Sequence, residues 1–166
     1  MERKEGRARA LLMLRYIPAV IWMVVIFSMS GQNGTQSGSL SLEVTEQVVD
    51  VIEEFRGGDA ADREKLIALL HTPVRKAAHM AEYAILALFF IFAFSGSMEG
   101  RKAVGWSVPA SFLYACTDEL HQRFVSDRAG QITDVGVDML GVLAMVLLAL
   151  AVLALRRRFG GSRVEN

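Results

Sequence analysis

Cysteine is almost absent from this chain. The single thiol, Cys116, excludes an intramolecular disulfide and any Cys-x-x-Cys pair for zinc or redox work. It lies inside an apolar run and reads as a small buried hydrophobe. Net charge is absent too, because 18 basic side chains balance 18 acidic ones. Several catalytic signatures are missing: there is no Walker A loop, no Gly-x-Gly-x-x-Gly after a strand and no Gly-x-Ser-x-Gly elbow. No His-Glu-x-x-His element or other zincin spacing occurs, so no cofactor is expected and a metal ion is a minor alternative. The basic residues lack aromatic interleaving, and no nucleic-acid partner is expected.

Charge is also missing locally, and there the apolar residues, 52 % of the chain, collect in long blocks. Four of these approach the roughly 20 residues that cross a hydrocarbon core. They predict an all-α membrane protein, a four-transmembrane-helix bundle in a single domain over 1–166, with spans at about 11–29, 77–94, 103–120 and 132–155. Arg15 near the start of the first span can snorkel to the interface, and Pro18 falls where a helix tolerates it. A cleaved signal peptide competes for the first block, but bulky Trp22 and Phe27 and the length of the run disfavour it. The third block is the weakest, with Gly105, Ser107, Pro109, Ser111 and Thr117, and is credible only when packed among other helices.

Lys and Arg flank the N-terminus, the short loop with Arg101 and Lys102, and the C-terminus with Arg156, Arg157 and Arg158. By the positive-inside rule these lie in the cytoplasm, which places both termini inside a bacterial plasma membrane. The segment of about 31–76 then faces outward. Within it, Gln32 to Ser39 reads as a loop. Val44, Val48, Val51, Ile52 and Phe55 recur at helical spacing and predict an amphipathic helix ended by Gly57 and Gly58. A short helix over Ala61 to Leu70 follows, with Asp59 as N-cap and Pro73 as stop. His71 reads as an ordinary solvated histidine.

Ionisable groups inside spans are costly and face a bundle interior or a water-filled cavity. Arg75, Lys76, His79 and Glu82 open the second span, and Asp118, Glu119, His121, Gln122 and Arg123 close the third. Arg128, Gln131, Asp134 and Asp138 lead into the fourth, and Gln32 follows the first. Under the predicted topology all lie near the outer face, and pairs three or four residues apart share a helix side. Three readings stay open for such a pocket. The charges lock helix register; or Gln32, Arg75, Lys76, Asp118, Gln122, Arg128 and Asp138 bind a lipid headgroup or other anionic ligand; or His79, Glu82, Glu119, His121 and Asp134 perform acid–base catalysis beside the arginines.

Certain of these residues also carry a resemblance. Phe27-Ser28-Met29-Ser30-Gly31-Gln32, Arg75-Lys76-Ala77-Ala78-His79-Met80-Ala81-Glu82-Tyr83, Thr117-Asp118-Glu119-Leu120-His121-Gln122-Arg123-Phe124 and Arg128 with Asp134, Asp138 and Gly141 resemble, in order and spacing, the VanZ-like family of bacterial membrane proteins. The resemblance covers about 15–155. The family often has Asn where this chain has Asp138. The resemblance implies a four-span helical protein of the cell envelope and, through the founding member, a link to resistance to the glycopeptide teicoplanin, but no settled reaction. The leading expectation is an outward-facing site that engages a membrane lipid, a lipid-linked precursor or a lipophilic glycopeptide. A membrane-embedded enzyme acting on a phospholipid or lipid-linked substrate, and a structural partner subunit of undetermined oligomeric state, are the alternatives.

Overall fold

The computed structural model describes residues 2–32, 34–56, 60–126 and 132–160. They form six helices, α1 (Glu2–Leu14), α2 (Ile17–Ser30), α3 (Gly34–Arg56), α4 (Ala60–Phe94), α5 (Gly100–Gln122) and α6 (Ile132–Gly160), with no strand among the described residues. Three stretches, Glu5–Ser30, Asp62–Phe94 and Ile132–Phe159, are long and apolar enough to cross a membrane. The first joins α1 to α2 through a tight turn, in which Arg15 N bonds to Leu12 O at 3.2 Å and Tyr16 N to Met13 O at 3.1 Å. Pro18 stands in the first turn of α2, where its missing N–H leaves no helical bond unmade.

The 23 residues of α5 are not among those three stretches. Gly105, Ser107, Pro109, Ser111 and Thr117 dilute its apolar character, and Asp118 and Glu119 add charge. Of these, Ser107 and Ser111 nevertheless serve packing. The helix buries Ala103, Val104, Ser107, Ser111 and Ala115 and lies against α4 and α6. At the centre is α4, which packs on α2, α3, α5 and α6. The shared core joins Ile26, Tyr83, Leu86, Ala87, Ala115, Val135 and Val142. Cys116 points away from it and is exposed, which corrects its reading as a buried hydrophobe.

Two expectations between α2 and the core of α4 are overturned. The polar stretch before Ser39 is not a loop from Gly34 onward but the first part of α3. Its buried positions are Thr45 and Val49, with half-buried Ser41 on the same side, whereas Val44, Val48, Val51 and Phe55 remain substantially exposed. Small side chains let this face approach α4, and Val48, Val51 and Phe55 are left outward. Nor does Pro73 stop a short helix, since α4 runs unbroken through it for 35 residues. A proline removes the donor to the carbonyl four residues back. That carbonyl belongs to Leu69, a 70 % exposed residue, so the loss falls on the outside of the helix. The positions expected to end α3 and to cap the following helix, Gly57, Gly58 and Asp59, lie outside the described residues.

Arg15 does more than reach an interface. Its Nε and Nη2 donate to Phe92 O at 3.0 and 2.8 Å, and Nη2 also donates to Ser95 Oγ at 2.9 Å. The guanidinium lies 4.3 Å from the centroid of the Phe92 ring. It thus satisfies carbonyl capacity left open at the C-terminus of α4 and balances the negative end of that helix. This clip sets α2 antiparallel to α4.

At the contact of α4 with α6, a Cβ added to Gly141 would lie 1.9 Å from the Met80 carbonyl oxygen. Gly141→Ala therefore has to push two helix backbones apart. It should lower the melting temperature of the purified protein by several degrees, in keeping with about 1–3 kcal/mol for overpacking. Gly105 has nothing within 4 Å of such a Cβ. Gly105→Ala, measured by the same circular-dichroism melt, should match or exceed the parent through improved helix propensity.

Candidate functional site

The polar positions of α4 follow from its periodicity. Arg75, His79 and Glu82 recur at steps of four and three, which carries them down one side of the helix. That side faces the ends of α2 and α5 and the first part of α3, and a cavity of about 140 Å³ lies between them. Its polar wall holds Arg75, His79, Glu82 and Asp118, with Ser30, Gln32 and Ser41. Its apolar wall holds Ile26, Met29, Leu40, Val44 and Val74.

His79 Nδ1 lies 3.7 Å from Glu82 Oε2 and 3.9 Å from Asp138 Oδ1. The first distance is set within α4, and the second bridges to α6. On α5, Asp118, Glu119 and Gln122 are buried, and Gln122 Nε2 donates to Asp118 Oδ2 at 3.0 Å. Asp118 Oδ1, Asp138 Oδ1 and Ser30 Oγ are buried with no hydrogen-bond partner among the described residues. Such groups are rare in native structures, because each retains its desolvation cost. Among the described residues no group of three or more His, Cys, Asp or Glu is placed to hold a metal ion.

Not every candidate joins this cluster. Lys76 and Asp134 are exposed and form no part of the cavity wall. His121 is half-buried beside it, stacked on Phe27 with ring centroids 4.1 Å apart and planes 22° apart. Arg128 and Gln131 lie outside the described residues.

Backbone carbonyls hold the surrounding helices in place. Trp22 Nε1 on α2 donates to Glu82 O at 2.9 Å, and the Tyr114 hydroxyl on α5 donates to Met23 O. Neither residue drew notice as a polar candidate, since indole and phenol rings in apolar runs read as core. Ser30 and Ser41 were also missed as parts of the wall. A signal existed for Ser41: hydroxyls at 41 and 45 stand four apart in a segment otherwise read as loop and valine stripe. His71 is not a solvated loop residue. It sits within α4, half-buried, with Nε2 2.8 Å from Ser41 Oγ on α3. Farther along the same two helices, Arg63 pairs with Asp50 at 2.7 Å and Glu53 at 3.2 Å.

A family model described as VanZ/LLP1 matches residues 16–154. No curated protein and no solved structure matches the chain.

The Ser41–His71 bond should act as one unit in holding α3 to α4. Ser41→Ala and His71→Ala are each expected to cost about 1 kcal/mol, the net worth of one hydrogen bond. The double variant should cost little more than either. Full additivity in a denaturation cycle would show that the pair contributes nothing jointly.

Proposed function

The chain belongs to the VanZ/LLP1 family of membrane proteins, and from that premise we propose that its cavity engages the headgroup of an amphiphile at the outer leaflet of the bacterial plasma membrane. The amphiphile is a lipid, a lipid-linked precursor or a lipophilic glycopeptide. The observation that carries this reading is the two-sided cavity wall. Arg75, His79, Glu82 and Asp118 suit a charged headgroup, and Ile26, Met29, Leu40, Val44 and Val74 suit the apolar part next to it.

Depth supports it as well. From Phe94, at the Arg15 clip, back to Arg75, α4 rises about 29 Å, close to the roughly 30 Å of a hydrocarbon core. The cavity then sits where α4 leaves the apolar layer. For the same reason α5 is read as a fourth span. Glu99 at its start pairs with Arg157 of α6 at 3.3 Å, at the basic end of the bundle. Asp118 near its other end reaches the cavity. In this reading the Lys and Arg clusters at that basic end keep both termini in the cytoplasm, with α3 outside.

A second reading is favoured by one observation, the placement of His79 between Glu82 and Asp138. In it, the imidazole serves as general base or acid on a phospholipid or lipid-linked substrate.

Topology is tested in a Cys116→Ser background. Single cysteines beside Arg128 should react with an impermeant maleimide from outside intact cells, and cysteines beside Arg101 should react only after permeabilisation. Labelling at 101 alone would reverse the orientation. Engagement is tested by native mass spectrometry of the purified chain with added phospholipid. Arg75→Ala should reduce lipid retention about tenfold, the loss of one charge-assisted contact worth ~1.4 kcal/mol. Undiminished retention would remove Arg75 from the site. Lipid extracts of cells with and without His79→Ala divide the two readings: a lipid that accumulates in the variant favours catalysis, and an unchanged profile favours binding.

A further inference from the structure

The charges around the cavity are of both signs, and they are ordered in depth. Arg75 is the cationic side chain at one level, and Glu82 stands two turns farther along the same helix. Asp118 faces it from α5 at 4 % exposure. Its Oδ2 accepts from Gln122 and the Ser30 hydroxyl stands beside the same carboxylate, but among the described residues Oδ1 makes no close hydrogen bond. An anionic lipid satisfies Arg75 and brings no positive charge to that buried carboxylate. A ligand that completes the site brings an anion for Arg75 and a hydrogen-bond-donating cation for Asp118.

We propose that the cavity takes a ligand carrying a phosphate next to a primary ammonium group, of the phosphoethanolamine type, with the phosphate at Arg75 and the ammonium against Asp118. This rests on the reading of the cavity as an amphiphile site and names its headgroup. A primary ammonium supplies three N–H donors, as a lysine head does. A quaternary choline supplies none and is recognised instead by aromatic faces. No Phe, Tyr or Trp is among the described residues of the wall. A glycerol headgroup carries no positive charge to set against the buried carboxylate. A divalent cation is disfavoured because, among the described residues, no group of three His, Cys, Asp or Glu is assembled.

The test uses the purified full-length protein in detergent. Phosphatidylethanolamine, phosphatidylcholine and phosphatidylglycerol with identical acyl chains are added in equal amounts, and retention is read by native mass spectrometry. Phosphatidylethanolamine should be retained about tenfold over the other two, the worth of one well-placed charged hydrogen bond. Asp118→Asn should bring phosphatidylethanolamine and phosphatidylcholine to parity. Glu82→Gln, which leaves the Asp118–Gln122 bond untouched, should also narrow the preference if Asp118→Asn fails to fold. Equal retention of all three by the parent, or a preference unmoved by both variants, overturns the ammonium assignment. If Arg75→Ala still lowers retention in that case, the amphiphile reading survives. If no lipid is retained by the parent, the amphiphile reading itself fails. A final arm adds soluble O-phosphoethanolamine as competitor. Displacement at lipid-like concentrations keeps the ammonium assignment and identifies a soluble source, whereas displacement by the intact lipid alone identifies the membrane.

Discussion

Where α4 meets α6, the carbonyl oxygen of Met80 occupies the space that any side chain at 141 would need. Much of the architecture depends on that contact. His79 directly precedes Met80, and Asp138 stands one turn before Gly141 on α6. Bringing the two backbones together is what carries the His79 imidazole to 3.9 Å from Asp138. A glycine with no side chain to pack thus positions two side chains that titrate. Separating the helices by the width of a methyl group would place a buried carboxylate and an imidazole beyond reach of each other, in a medium where lone charges are costly.

The two ends of the bundle treat this cost differently. At the α2–α4 clip a single guanidinium is met by a carbonyl, a hydroxyl and an aromatic face. At the cavity the groups are more numerous and, among the described residues, Asp118 and Asp138 each keep one oxygen without a close hydrogen bond. An end built only for stability resembles the first. The second retains polarity that the fold does not consume, and α3 lies over it, tied to α4 by the Ser41–His71 bond and the Arg63 pairs.

The helical cores of α2, α4 and α6 were legible because an apolar run of span length admits few other structures. The lateral placement of His79 and Glu82 was legible for a similar reason, since a helix fixes which neighbours share a side. What escaped the reading depends on contacts between helices. Pro73 looked like a stop because the rule concerns the bond lost, and the exposure of Leu69, which makes that loss tolerable, is a tertiary fact. The valine stripe of α3 looked like the packing face, yet Thr45 and Val49 are the buried positions. Lys76 and Asp134 sit among candidate residues in the chain but on outward-facing positions of their helices. Asp138, four residues on from Asp134, instead faces His79. Spacing along one helix could not say which of the two would meet α4.

The Arg15 clip also bears on the order in which the protein is made. The guanidinium leaves the ribosome 77 residues ahead of the carbonyl it will bind and 80 ahead of the serine hydroxyl. At ~5–20 residues per second this is an interval of several seconds. Throughout it, the first apolar stretch carries a cation whose protein partners do not yet exist. That cation holds the stretch at the lipid headgroups rather than letting it slide to a deeper register. When Phe92 and Ser95 emerge, their oxygens become available to the guanidinium. The same arginine acts first as a depth marker for a lone helix and then as the latch that closes the bundle around it.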